Sequence, residues 1–318
     1  MAEVLKVVVT RRTDEAKGIV GLELRAVDGA ALPRFTPGSH IDIFLPNGLV
    51  RQYSLVNDCD EQDRYEIAVS HAANSRGGSS CVHSMLMKGN TLGIGAPRNN
   101  FALRDEHKRF FFVAGGIGIT PILSMIRFCH RNGFEWNLLY LARSRDHAAF
   151  LEELDQYGPD RVRLHFDDEA GCNFDIGTCG DLIPAGVPIY CCGPAPLMQA
   201  VTEFSARHPD NPAFLEWFAP PKEKADQAPT RGFDVKLNRS GKVFHVSDDQ
   251  SILEVLESHG YDIPCACREG MCRTCETGVV EGIPEHRDYV LSKAEREEGR
   301  TMMICVSRAQ SRTLVLDI

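Results

Sequence analysis

The chain has 318 residues, 43% of them hydrophobic, with a formal charge of −9 and a pI near 5.7. That is enough chain for two or three domains with ordinary cores, and no basic stripe offers a nucleic acid a footing. MAEVLKVVVTRR lacks the apolar core and cleavage site of a signal peptide and no run of eighteen apolar residues occurs, so a soluble cytoplasmic protein, most simply a monomer, is expected.

Residues 1–104 are dominated by short strand-like runs, VLKVVVTRR, GIVGLELRAV, HIDIFLP, RQYSLV and RYEIAVS, separated by Gly, Pro, Asn and Asp. Many strands with few helices between them predict an antiparallel barrel or sandwich. The exception is GGSSCVHSML, where small residues precede a helical pattern and leave backbone N–H groups for a phosphate. Within RQYSL, alternation puts Arg51 and Tyr53 on one face. A guanidinium beside an aromatic ring suits an aromatic, phosphorylated ligand, although an ordinary amphipathic strand has the same pattern.

From 105 to 220 the rhythm changes to strand RFFFVAGG, helix TPILSMIRFCHRNG, strand WNLLYLAR, helix HAAFLEELDQYG, strand RVRLHFDD, and PIYCCGPAPLMQAVTEFSARH as strand, turn and helix. Alternating strands and helices predict a parallel α/β sheet with its ligand at the strands' carboxyl ends. Gly115-Gly116-Ile117-Gly118-Ile119-Thr120-Pro121 follows one strand and opens a helix, with Thr120 expected as N-cap and Pro121 as the first helical residue. It lacks the third glycine of a dinucleotide fingerprint, so alone it names no ligand. Cys192-Gly193-Pro194 forms a second junction of the same kind, and the pair is more specific than either. Cys192 is either a packed core thiol or a contact for a flat cofactor ring.

APPKEKADQAPTR, read as a linker over 221–231, closes the second segment. After it, 232–318 reads as a hairpin about Arg239-Ser240-Gly241, a helix in SDDQSILEVLESHG, a cysteine-rich loop, and a last strand TLVLDI, a small α+β unit. Five of the twelve cysteines lie between 265 and 305, which fits metal binding in a reducing compartment better than disulfides. Cys267-x4-Cys272-x2-Cys275, with Cys305 on the expected strand TMMICVSRA, is the plant-type spacing for a [2Fe–2S] cluster. A structural zinc site is the alternative for four thiolates, though zinc sites usually present two close pairs. Cys265 breaks the x4 spacing and reads as a small buried residue.

RQYSL, RGGSS, GGIGITP, YCCGPAPLM and CREGMCRTC, in this order, resemble the phthalate dioxygenase reductase family, which includes vanillate demethylase reductases. The resemblance spans the whole chain and implies an antiparallel β-barrel flavin domain, a ferredoxin–NADP⁺ reductase-like α/β domain and a β-grasp ferredoxin domain. It implies that FMN is held by Arg51, Tyr53 and Ser54, with its phosphate in a pocket of Arg76, Gly77, Gly78 and Ser79. NADH would lie over Gly116, Gly118 and Thr120, with Cys192, Gly193 and Pro194 bordering the nicotinamide and Phe218 against the flavin. Ser54, Cys192 and Phe218 would thus surround the hydride path, and electrons would leave through the cluster to a terminal Rieske-type oxygenase acting on an aromatic acid. Arg143 and Arg145 leave NADPH open. The rival readings are a self-sufficient diaphorase or quinone reductase, and a non-enzymatic redox sensor.

Overall fold

The computed structural model of the protein describes residues 4–73, 75–219 and 231–318, with residues 179–181 described in backbone only. The chain divides after Phe218 into two compact units. Residues 221–230 of the expected linker lie outside those described. Among the described residues, no helix is long and apolar enough to cross a membrane.

The first unit opens with β1 (Leu5–Ala16), β2 (Ile19–Ala26), β3 (His40–Phe44), β4 (Val50–Ser54) and β5 (Tyr65–Ser70), then α1 (Gly78–Met85) and β6 (Thr91–Ile94). These six strands form one sheet in the order β4-β3-β6-β1-β2-β5, all pairings antiparallel. The end strands β4 and β5 come into contact, which curls the sheet into a barrel. Alternating residues Val7, Val9, Leu22, Leu24, Ile41 and Ile43 fill it.

Next come β7 (Arg109–Gly115), α2 (Ile119–Arg131), β8 (Glu135–Ala142), α3 (Leu151–Asp155), β9 (Val162–Phe166), α4 (Asp167–Ala170), β10 (Ile189–Cys192), α5 (Ala195–Arg207) and β11 (Ala213–Glu216). The five strands are parallel, in the order β11-β10-β7-β8-β9. β7 is buried from Phe110 to Gly115 without alternation, as a strand covered on both faces requires. The chain runs outward from β7 to β9 and returns to β10, so the strand order reverses between β7 and β10, where open α/β sheets bind ligands. Barrel and sheet share a core through α2: Ile19, Val56 and Phe101 pack with Ile122, Leu123 and Ile126. Ser124 Oγ donates to Asn57 O at 3.1 Å and Arg127 Nη1 to Val56 O at 2.9 Å.

The second unit contains β12 (Phe233–Leu237), β13 (Val243–Val246), α6 (Ile252–Ser258), β14 (Glu276–Glu281), β15 (Pro284–Glu285), α7 (Lys293–Glu298), β16 (Thr301–Met303), β17 (Arg308–Ala309) and β18 (Thr313–Leu316). Its main sheet has the order β13-β12-β18-β14-β16, with β12 and β18 parallel, which is the β-grasp arrangement. α6 starts on a capping box: Ser251 Oγ accepts from Glu254 N at 3.2 Å, and Glu254 Oε2 accepts from Ser251 N at 2.8 Å. Ile252, Leu253, Val255 and Leu256 are buried on the expected face.

Three local expectations are corrected. A 3₁₀ turn over Gly116–Gly118 starts the helix early, so Gly118 is the N-cap of α2 and Thr120 and Pro121 sit inside its first turn. The Thr120 hydroxyl donates to Ile117 O at 3.0 Å instead of capping. The strand expected to carry Cys305 ends at Met303, and Cys305 lies in the turn that follows. The helix expected in HAAFLEELDQYG shrinks to α3, because Phe150 adopts a left-handed conformation (φ 62°) just before it.

Candidate functional site

Arg51 and Tyr53 project from β4 on the face they share, with Ile43 and Ile41 opposite on β3. The Arg51 side chain lies against the start of α1. A methyl group on Gly78 would stand 2.6 Å from Arg51 Nε, so a larger residue there would push the Arg51 side chain off the start of α1. Gly77, at φ 89°, is the N-cap of α1 and provides no side-chain cap, so the positive end of the helix faces outward beside Arg51. Ser75 Oγ accepts from the N–H groups of Gly77 and Ser80, at 3.2 and 3.3 Å, and from Ser79 Oγ at 3.0 Å, which fixes the turn. Arg51, Gly77, Gly78 and Ser79 therefore make a cationic cradle of phosphate type, with Arg76 exposed at its edge. Tyr53 is half-buried, and burial raises its hydroxyl to about 12, so it is a neutral ring in this site. Ser54 is buried at the end of β4, paired across the ladder with His40.

The two junctions of the parallel sheet touch each other. Added methyl groups would sit 2.2 Å from Cys192 O at Gly118, and 2.6 Å from Pro194 Cδ at Gly115. Glycine at both positions thus lets the turn after β7 press its backbone against Cys192-Gly193-Pro194 after β10. Gly116, at φ 53°, has open space on its side-chain face. Cys192 is fully buried, and burial, the nearby Glu216 carboxyl and Cys191 hold it as a neutral thiol. It is packed in the core, and its thiol is not a nucleophile at neutral pH.

Sequence reasoning passed over Glu216 except as the residue before Trp217. Glu216 ends β11 in register with Cys192, and its Oε2 is sealed from solvent with no hydrogen-bond partner. Burial lifts its carboxyl to about 8, so near neutrality it holds a proton at the ligand edge of the sheet. The only sequence signal was an acid in an otherwise apolar run, AFLEWF. Phe218, just beyond, is 40% exposed and so does not close the core. Arg145 is engaged by Glu169 at 3.3 Å and rests over the Phe166 ring, while Arg143 is exposed.

In the second unit, Cys267, Cys272, Cys275 and Cys305 converge although 30 positions separate the last two. Cys272, Cys275 and Cys305 are buried and Cys267 is half-buried, all as free thiols. Cys267 Sγ accepts from the N–H groups of Glu269 and Met271, at 3.3 and 3.4 Å. Such loop amides stabilise charge on a ligand sulfur. Gly270 closes the loop at φ 70°, where a methyl group would stand 2.5 Å from Val306 Cγ2 and 3.0 Å from Asp288 Cα. Arg268 and Arg273 adopt the same left-handed backbone (φ 58° each), which is costly for arginine. Their side chains are tethered outward, Arg268 to Glu257 at 2.6 Å and Arg273 to Glu295 at 2.5 Å, linking the loop to α6 and α7.

Cys265 is half-buried and packs on the core cluster to which Cys275 and Cys305 belong, and interaction with those two thiols pulls it down. Interactions among the thiols pull Cys265 and Cys267 down and push Cys272, Cys275 and Cys305 up, because adjacent thiolates repel and a thiol that keeps its proton stabilises an ionised neighbour. A cationic iron pair would remove that conflict, since coordinated thiols are deprotonated. The donor set, the loop amides and the close-packed glycine all fit an iron–sulfur cluster.

The 2Fe-2S iron-sulfur cluster binding domain model matches residues 235–310. The chain is 43% identical over 305 residues to a putative toluene-4-sulfonate monooxygenase system reductase subunit of Comamonas testosteroni, covering 95% of each chain. It is also 43% identical to the tetrachlorobenzoquinone reductase of Sphingobium chlorophenolicum, covering 98% of this chain and 97% of that one. Among solved structures, phthalate dioxygenase reductase, described as modular for electron transfer from pyridine nucleotides to [2Fe–2S], matches 99% of this chain and 98% of its own at 36% identity and a TM-score of 0.73. An intact type IV self-sufficient cytochrome P450 monooxygenase matches 99% of this chain at 38% identity and a TM-score of 0.91. The present chain spans 41% of that protein's length.

Proposed function

The chain belongs to the phthalate dioxygenase reductase family, and from that premise we propose that it is the NADH-dependent reductase of a multicomponent oxygenase, passing electrons to a separate Rieske-type oxygenase that acts on an aromatic acid. FMN supplies the conversion of one hydride into two single electrons, and the [2Fe–2S] cluster supplies a one-electron exit. The observation that carries the reading is the pair of glycine junctions pressed together at the switch point of the sheet, in a chain whose other unit gathers a cage of thiols.

In this reading residues 1–104 hold the flavin, 105–220 present the nucleotide, and 232–318, beyond the 221–231 linker, carry the cluster, in a cytoplasmic monomer. Arg51, Arg76, Gly77, Gly78 and Ser79 bind the FMN phosphate, while Tyr53 and Ser54 line the ring. Gly116 and Gly118 give the NADH pyrophosphate a close backbone approach, and Thr120 anchors the turn beneath it through Ile117. Cys192, Gly193 and Pro194 border the nicotinamide. Glu216 keeps a proton at its carboxyl there, and Phe218 offers an exposed ring to the flavin. Cys267, Cys272, Cys275 and Cys305 ligate the irons.

Anaerobic NADH should bleach both the flavin and the cluster absorption, and a chain that stays coloured after NADH is not such a reductase. Cys272→Ser should abolish delivery to a protein acceptor while sparing reduction of a small dye. Loss of both together would contradict the linear order. The equal identity to a quinone reductase supports one further reading, in which a quinone is the acceptor. In that case quinone turnover would persist without any oxygenase and would not need the cluster.

A further inference from the structure

Helix α2 starts at the glycine turn after β7 and packs on the barrel, and one of its side chains is held from both directions. Arg127 Nε and Nη2 donate to the two carboxylate oxygens of Glu153, on α3, at 2.8 and 2.6 Å. Its Nη1 donates to the Val56 carbonyl at 2.9 Å and to Glu66 Oε2, on β5 of the barrel, at 3.3 Å. The Arg127 side chain is only 19% exposed, so solvent and salt do little to loosen these bonds. Val56 N in turn donates to Glu66 O at 2.9 Å, which closes a ring through Arg127, Val56 and Glu66. Ser124, three residues earlier on the same face of α2, donates to the Asn57 carbonyl. Two side chains of one helix face thus grip two consecutive carbonyls of the segment that leaves β4 just past Ser54. A polar cavity of about 170 Å³ lies at this seam, lined by Arg11, Glu23, Glu66, Arg127 and Glu153 among others. Apolar packing is therefore incomplete around the guanidinium, and at this level hydrogen bonds tie α2 to the barrel.

We propose that Arg127 is a positioning residue for hydride transfer, its guanidinium fork fixing where α2, and with it the glycine turn at its start, stands relative to β4. The proposal rests on the reading of that turn as the NADH site and of β4 as the flavin strand. Gly118 and Arg127 belong to one rigid helix, about 13 Å apart along its axis, so a small tilt allowed at Arg127 moves the turn. Hydride transfer needs the reacting atoms within about 3 to 3.5 Å, and a misplacement of about 1 Å can cost about a hundredfold in rate. A guanidinium meets a carboxylate with two parallel bonds while its remaining N–H groups reach other acceptors, whereas an ammonium is a point charge on a flexible stem. Lysine at this position would keep the charge that balances Glu66 and Glu153 and would lose the fork.

The test compares the whole protein, loaded with FMN and cluster, as wild type, Arg127→Lys, Arg127→Met and Glu153→Gln. Flavin content, the melting temperature, the single-turnover rate of flavin bleaching by saturating anaerobic NADH, and amide hydrogen exchange of residues 54–57 and 116–120 without NADH are measured on each. Arg127→Met and Arg127→Lys should both keep their flavin and bleach it about tenfold more slowly or worse, with a larger isotope effect from NADH deuterated at the transferred hydrogen. Glu153→Gln should lie between them and wild type. Exchange in both segments should quicken together in the same order, while β8 stays protected. Full rescue by lysine would overturn the proposal, because charge balance would then be the whole role of Arg127. A normal bleaching rate in an Arg127 variant whose melting temperature has fallen would also overturn it, since a purely structural residue gives that result. If the Arg127 variants fail to fold, Glu153→Gln decides, and wild-type bleaching and exchange in that variant would overturn the proposal. A wild type that holds flavin but is not bleached by NADH would instead sink the reductase reading beneath it.

Discussion

Glu216, half-buried with one carboxylate oxygen sealed from solvent, and His40, buried, are acid–base groups with opposite consequences. Burial raises Glu216 to about 8 against an ordinary 4.5, so the folded chain binds more protons than the unfolded one between those values. Its contribution to stability is complete below pH 4.5 and is lost as pH rises toward 8. On the proposed function, the same proton sits beside the nicotinamide, since Glu216 is in register with Cys192. NADH-dependent dye reduction should therefore decline through an ionisation near pH 8, and Glu216→Gln should remove that limb while retaining activity on its neutral side. A pH–rate profile that keeps the limb in the variant would assign it to another group. His40 runs the other way. Burial, with the nearby Arg98 guanidinium next, lowers it from 6.5 to about 4, and its Nε2 has no hydrogen-bond partner. The folded state resists a proton that the unfolded state accepts, so stability is full above pH 6.5 and falls by about 3 kcal/mol by pH 4. Denaturant unfolding across that range should show this slope, flattened in His40→Gln.

The contact between the β7 and β10 junctions rests on Gly118, which lies 2.2 Å from the Cys192 carbonyl once a methyl is added. Both partners there are backbone and cannot rotate away. Gly118→Ala should cost about 1–3 kcal/mol of stability and raise the KM for NADH, because the turns must part. Gly116→Ala meets open space at φ 53° and should cost only about 1 kcal/mol, with the junction spacing kept. A thermal melt and NADH saturation curves for the two variants separate these effects. Both glycine turns were legible as strand-to-helix junctions, as were the barrel strands β1 to β5, the alternating α/β segment and the amphipathic face of α6. That the turns touch was not legible, since nothing local to GGIGITP specifies what lies across from it. β11 escaped notice because four half-buried residues between Pro212 and Trp217 carry too short a pattern, and with it went the meaning of Glu216. The cap of α2 was misplaced because a 3₁₀ turn displaced the start by two residues from the strongest capping side chain. Cysteine spacing singled out four thiols that the fold brings together, but it could not show that Cys265 packs on the same core, because spacing does not report which face a side chain shares.

At the scale of the whole molecule, the second unit carries its own sheet, its own core and every thiol of the cage. Val235, Leu237, Leu253, Leu256, Met302 and Leu314 are fully buried within residues 231–318. A domain of roughly ninety residues with one core is near the lower end of independent stability, and metal binding adds to folding wherever the unfolded chain has no preformed site. Residues 231–318 expressed alone should therefore fold and take up a cluster with the absorption of the intact protein. Iron removal should lower the melting temperature of this fragment sharply. In the intact chain the same treatment should destabilise only the second of two transitions, because barrel and parallel sheet share a core of their own through α2. Residues 1–219 expressed alone should in turn keep NADH-dependent dye reduction. A single transition that responds to iron as a whole would mean that the two units fold as one, and the cluster would then be a structural support for the nucleotide site as well as its electron exit.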